Sequence, residues 1–85
     1  MINNMYIVTF QYYDGLHVKH SFNNLREAWK YAYKNARFMY HANENNYAMT
    51  GVFVVKDNNK LALFCRSNKS LLLYDYKTDI KHYIK

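Results

Sequence analysis

The chain has 85 residues, of which 51% are hydrophobic, and its 12 lysines and arginines outnumber six acidic residues, for a net charge of +6. This length predicts one domain, residues 1–85, with a small core. A single cysteine excludes an internal disulfide and a multi-cysteine metal site. No apolar run approaches the ~20 residues of a membrane span, and no signal peptide is recognisable.

The first two predicted strands, Tyr6–Tyr13 and Leu16–Phe22, form a hairpin around an Asp-Gly pair. A two-residue turn would mix apolar and polar side chains on both faces. A three-residue loop with Gly15 in the left-handed conformation instead pairs Phe10 with Val18 and gathers the apolar positions on one face. We therefore predict the bulged hairpin.

The segment Asn24–His41 has a sustained helical period and predicts an amphipathic helix that runs to about Ala42. Asn23 or Asn24 is expected to cap it, and Glu27 places negative charge near its positive end. The positions predicted to face the core are Leu25, Ala28, Trp29, Ala32, Ala36, Met39 and Tyr40.

Three further strands are predicted, at Tyr47–Lys56, Leu61–Arg66 and Leu71–Tyr76, with a turn at 57–59. The first of these is apolar on both faces, which is typical of a central strand. Gly51 within it is expected to mark a bulge or a close approach by the helix.

The tail places Ile80, Tyr83 and Ile84 at helical spacing, which favours a short C-terminal helix over a sixth strand. The order ββαβββ predicts an α+β fold, in which one long helix packs on one face of an antiparallel five-stranded sheet. The other face is partly apolar. We expect a partner or a second copy of the chain, in a homodimer, to cover it.

The residues that most often carry chemistry form no recognisable catalytic set. His17 and His20 would point to opposite faces of a strand, so they would not share a metal ion. Cys65 lies in an apolar strand, where burial would raise its pKa. No glycine-rich phosphate loop is present. We predict no enzymatic activity, no metal and no cofactor, and a small metal-free ribonuclease is the enzymatic alternative.

The strongest functional feature is the side of the helix opposite to its predicted core face. Four cations project along about 16 Å of this side. Tyr31 and Phe38 flank them and are expected to be exposed, where they would stack on bases or anchor a protein interface. The predicted binding residues are Arg26, Lys30, Tyr31, Lys34, Arg37, Phe38 and His41.

The positive charge favours an acidic partner, although it would also keep a tyrosine-rich protein in solution. The abundance of Asn, Lys and Tyr is typical of an AT-rich genome, such as that of a phage or plasmid in a low-GC bacterium. These features favour a non-enzymatic phage or mobile-element protein. In the host cytoplasm it would bind and inhibit or modulate a host machine, for example a CRISPR or other defence complex. The alternative is a module that binds single-stranded DNA or RNA.

Overall fold

A computed structural model describes residues 5–42, 49–67 and 70–84 of the chain. The elements are β1 (Tyr6–Tyr12), β2 (His17–Phe22), α1 (Leu25–Ala42), β3 (Met49–Lys56), β4 (Asn59–Ser67), β5 (Ser70–Asp75) and β6 (Ile80–Tyr83). The strands form one antiparallel sheet in the order β2-β1-β3-β4-β5-β6. The α+β class with one helix is confirmed, but the sheet has six strands, not five.

The β1–β2 hairpin has the predicted register and the predicted loop. Phe10 lies opposite Val18. Gly15 has a φ of 95°, and its N–H donates to the Tyr12 carbonyl at 2.9 Å. The Leu16 N–H donates to the Asp14 carboxylate at 3.0 Å, which ties the loop to the second strand. The bulged hairpin is therefore confirmed.

The β3–β4 connection is a tighter turn than predicted. Asp57 and Asn58 have φ values of 52° and 66°, and Asn59 already pairs with Lys56. Positive φ at both central positions is the geometry of a type I′ turn, which Asp and Asn tolerate better than other non-glycine residues. The first two residues of the predicted third strand, 47 and 48, lie outside the described residues.

The C-terminal segment forms β6, so the predicted short helix is wrong. The Asp75 side chain accepts the N–H of Lys77 at 2.9 Å, and the Asp79 N–H donates to the Asp75 carbonyl at 2.8 Å. Asp79, with a φ of 59°, reverses the chain so that β6 pairs with β5. Pairing with an open strand edge satisfies backbone groups that a helix of one or two turns would leave unpaired.

A line of alanines brings α1 close to the sheet. Ala28, Ala32 and Ala36 are completely buried, and Met39 is nearly so. They pack over the buried face of the sheet, whose central side chains are Val8, Phe10, Val52, Val54 and Phe64. The predicted core face of the helix is thus confirmed along its middle.

Two larger residues predicted to lie in this core are instead half-exposed. Leu25 is 43% exposed and Trp29 is 37% exposed. The Trp29 ring leans against Phe64, with centroids 5.6 Å apart. The alanine line leaves too little space between helix and sheet for such side chains, so they lie beside the helix. The side chain of Tyr40 lies outside the described part of the structure.

Gly51 is buried next to a bulge in the β1–β3 pairing, at Gln11 and Tyr12. A Cβ at this position would lie 3.2 Å from Cδ1 of Leu63. The predicted bulge is confirmed, whereas the predicted close approach by the helix is wrong. Neighbouring side chains crowd Gly51 on the face away from α1.

Within the described residues, no helix is both long and apolar enough to cross a membrane.

Candidate interaction surface

The start of α1 is held by the predicted cap. The Asn24 side-chain oxygen accepts the N–H of Glu27 at 2.8 Å, and its carbonyl accepts the N–H of Ala28 at 3.2 Å. This places Asn24 at the N-cap position. Because the buried alanines fix the rotation of the helix, its opposite side is directed toward solvent.

The predicted cations of α1 occupy this solvent side. Arg26, Lys30, Lys34 and Arg37 are all exposed. Glu27 is the one carboxylate in the sequence of α1, so the side carries a clear excess of positive charge. A surface with charges of one sign attracts partners of opposite charge and raises their association rate.

Among the described side chains of α1, Phe38 is the most exposed hydrophobic one, with 70% of its surface accessible. It follows Arg37, whose guanidinium carbon lies 5.8 Å from the ring centroid of Tyr33. Such a cation–π contact is worth about 0.5–1 kcal/mol at an exposed site. Arg37 therefore lies over Tyr33, and both Arg37 and the exposed Phe38 line the same side of the helix.

Tyr31 was predicted to be exposed, and this prediction is wrong. Its ring is half-buried, with centroid distances of 5.7 Å to Phe10, 5.2 Å to His20 and 5.0 Å to Phe22. The helix contacts β1 through β5, so residues that flank its apolar stripe also reach the sheet. Tyr31 packs toward β1 and β2 for this reason.

A shallow groove follows the solvent side of α1. Its lining residues are Phe22, Glu27, Lys30, Tyr31, Tyr33, Lys34, Arg37 and Phe38. Five of the seven predicted binding residues are among them. We refer to Lys30, Lys34, Arg37 and Phe38, with Tyr31 at their base, as the helix surface.

Of the other two predicted binding residues, one lies in a different cleft, and the side chain of the other is outside the described part of the structure. Arg26 lines a second, apolar cleft with Leu25, Trp29 and Lys30. His41 lies in the last turn of α1, and its side chain is outside the described part of the structure.

Sequence reasoning missed Phe22, Glu27 and Tyr33 as parts of the groove. Phe22 ends the predicted second strand on its apolar face, and its position two residues before the helix cap is the signal that its ring borders the helix. Tyr33 lies between the buried and the charged sides of the helix, where periodicity alone does not decide its surroundings.

His17 and His20 lie on opposite faces of the sheet, as the strand pattern predicts. His17 is exposed, whereas His20 is half-buried on the other face of the sheet, with its ring 5.2 Å from that of Phe10. Among residues 5–42, 49–67 and 70–84, no three His, Cys, Asp or Glu side chains are grouped so that they could hold a metal ion.

The single thiol lies on the sheet face away from α1. Burial raises the pKa of Cys65, and nearby Lys81 opposes that shift only in part. The predicted direction is confirmed. A thiol with a raised pKa is a poor nucleophile at neutral pH.

No protein-family model matches the chain, and comparisons with curated proteins and with solved structures give no significant match.

Proposed function

We propose that the chain is a small non-enzymatic interaction protein. Its helix surface binds an acidic, partly apolar site on a larger host machine and thereby inhibits or modulates that machine. The observation that carries this proposal is the exposed Phe38 ring, which lines one groove together with Arg37 and two exposed lysines. Aromatic and arginine side chains supply most of the binding energy in protein interfaces, and lysines around them steer acidic partners.

The arrangement favours a protein partner over a nucleic acid at the helix surface. Stacking of successive bases needs several accessible rings. The packing of Tyr31 against the sheet leaves Phe38 as the one strongly exposed ring of this surface. A single ring surrounded by cations fits a pocket with an apolar floor and an acidic rim.

The class of partner follows from composition and size. The AT-rich residue usage and the short chain are typical of phage and mobile-element products that act in the cytoplasm of a host. Such proteins commonly block defence systems by occupying a functional surface. A CRISPR effector or another defence complex is therefore the machine that we propose.

The test is partner capture with matched variants. The tagged chain is incubated with nuclease-treated host lysate, and captured proteins are identified by mass spectrometry. The double variant Arg37→Glu and Phe38→Ala should lose the partner, because it reverses one charge and removes the exposed ring. The control, Lys77→Glu and Tyr13→Ala, makes comparable changes at exposed positions away from α1 and should retain it.

The captured machine is then assayed with and without the purified chain. Wild-type protein should change its activity, and the helix-surface variant should not. Equal capture by both variants, or capture without any effect on activity, would contradict the proposal.

A further inference from the structure

The sheet face away from α1 carries an ordered set of side chains that the helix surface does not use. One row crosses all six strands and consists of Lys19, Thr9, Phe53, Leu63, Tyr74 and Lys81. The adjacent row consists of His17, Gln11, Gly51, Cys65, Leu72 and Tyr83. We refer to these two rows as the open face.

The strand register and the side-chain packing place these residues on one side of the sheet. A Cβ on Gly51 would touch the side chains of both Leu63 and Phe53. The positive charge of Lys81 partly offsets the rise that burial causes in the pKa of Cys65, as expected for side chains on the same face. Leu72 is buried, yet it lies outside the core cluster beneath α1. None of the described helices or strands covers this face.

The charge of the open face is positive. Lys19 and Lys81 are exposed at the two ends of the first row, on the edge strands. The ammonium of Lys60 lies 4.8 Å from the ring centroid of Phe53. No carboxylate belongs to either row. The nearest acidic contact is Asp79, which accepts a hydrogen bond from the Tyr74 hydroxyl at the sheet edge.

Aromatic rings lie between these charges. Phe53 and Tyr74, which are both half-buried, occupy the same row two strands apart, and Tyr83 follows in the next row with 68% of its surface exposed. The row spans about 24 Å, since neighbouring strands lie about 4.8 Å apart. A cationic surface of this length with aromatic rings along it matches the chemistry of an extended strand of unpaired nucleotides.

We propose that the open face binds single-stranded nucleic acid. The exposed ring of Tyr83 stacks with a base, the half-buried rings of Phe53 and Tyr74 contact the bases that follow, and the lysines contact phosphates. This function is separate from the proposed role of the helix surface, since the two surfaces lie on opposite sides of the sheet.

Charge complementarity favours this occupant over a second copy of the chain. In a two-fold dimer the same face is present on both subunits. Face-to-face packing would bring two sets of lysines together without a carboxylate from either row to pair with them. A polyanion neutralises the same lysines and releases its counterions.

The test measures fluorescence anisotropy of labelled single-stranded oligo-dT and oligo-U of about 16 nucleotides, the upper end of common site sizes, and of a duplex control. The wild-type chain should bind at least one single strand more tightly than the duplex. Tyr83→Ala should weaken this binding about 5- to 150-fold, as expected for loss of one stacked base. The matched ring control, Tyr13→Ala, should bind like wild type.

The salt dependence tests the lysines separately. Replacing Lys19 and Lys81 together with glutamine should reduce the slope of log affinity against log salt by about 1.4 for a single strand. Lys30→Gln with Lys34→Gln, on the helix surface, should leave the slope unchanged.

Absence of single-strand binding at low salt would overturn the proposal. Binding that the helix-surface variants reduce and the open-face variants do not would also overturn it. Analytical ultracentrifugation provides a third way to overturn the proposal. A concentration-dependent dimer that is lost in Tyr83→Ala would show that a second copy of the chain occupies the open face. A negative result in these nucleic-acid assays would not change the result expected in the capture assay, because that assay tests Arg37 and Phe38 on the helix surface.

Discussion

The ring of Tyr31 stacks on the ring of Phe10, with centroids 5.7 Å apart and an angle of 26° between the planes. His20 and Phe22 complete an aromatic cluster that closes the side of the core over β1 and β2. Phe38 lies seven residues later on α1 and is 70% exposed. Two aromatic residues separated by one heptad therefore have different surroundings: Tyr31 packs the helix on the sheet, and Phe38 stays exposed to solvent.

This difference predicts opposite effects of two alanine substitutions. Tyr31→Ala should lower the free energy of unfolding by about 2–4 kcal/mol, because it removes a packed ring from the edge of the core. Phe38→Ala should change it by less than about 0.5 kcal/mol. Urea denaturation followed by circular dichroism measures both values. An equal loss of stability in the two variants would show that Phe38 also packs against the fold.

The alanine line of α1 should not tolerate larger side chains. Ala32→Leu inserts three carbon atoms between helix and sheet at a completely buried position. We expect a loss of about 1–3 kcal/mol in thermal or chemical unfolding, because overpacking forces side chains off their rotamers or moves the helix. Lys34→Leu introduces the same side chain at an exposed position of the same helix and serves as the control. A stable Ala32→Leu variant would indicate unfilled space under α1.

The helix cap contributes through one side-chain oxygen. Asn24→Ala removes the acceptor of the Glu27 N–H and should cost about 1 kcal/mol of unfolding free energy. Asn24→Asp should retain the stability, because a carboxylate accepts the same bond and lies at the positive end of the helix. Asn23→Ala is the matched control, since Asn24 already caps the helix. If Asn23→Ala proves as costly as Asn24→Ala, the cap is shared between them.

The stability of the fold should decrease in acid through Asp75, in the turn between β5 and β6. Its carboxylate accepts backbone N–H groups, first that of Lys77, and this lowers its pKa below the ordinary value. A carboxyl group whose pKa is lower in the folded state stabilises the fold above its unfolded pKa. That contribution is lost as the pH falls through the folded pKa.

The measurement compares thermal midpoints of wild type and Asp75→Asn from neutral to acidic pH. Asparagine keeps an oxygen acceptor but has no charge. The wild-type advantage should therefore be largest near neutral pH and should disappear in acid. A difference that is constant with pH would mean that the charge of Asp75 contributes nothing to the turn.

Local features of the chain were determined by the sequence itself. The pairing of Phe10 with Val18 followed from a two-residue alternation and from the turn chemistry of Gly15. The cap at Asn24 and the buried line through Ala32 followed from helix-end chemistry and from the helical period. These features depend on residues that are close in the chain, so a single sequence contains the information that specifies them.

Only the tertiary structure decided the features that depend on distant neighbours. Three apolar residues in the tail have the spacing of a helix, but the open edge of β5 made that segment a strand, because edge pairing satisfies its backbone groups. Tyr31 lies outside the apolar stripe of α1, and yet the breadth of the sheet beneath the helix covers half of it. The row from Lys19 to Lys81 joins six strands in an order that no local pattern specifies, because strand order is set by long-range pairing.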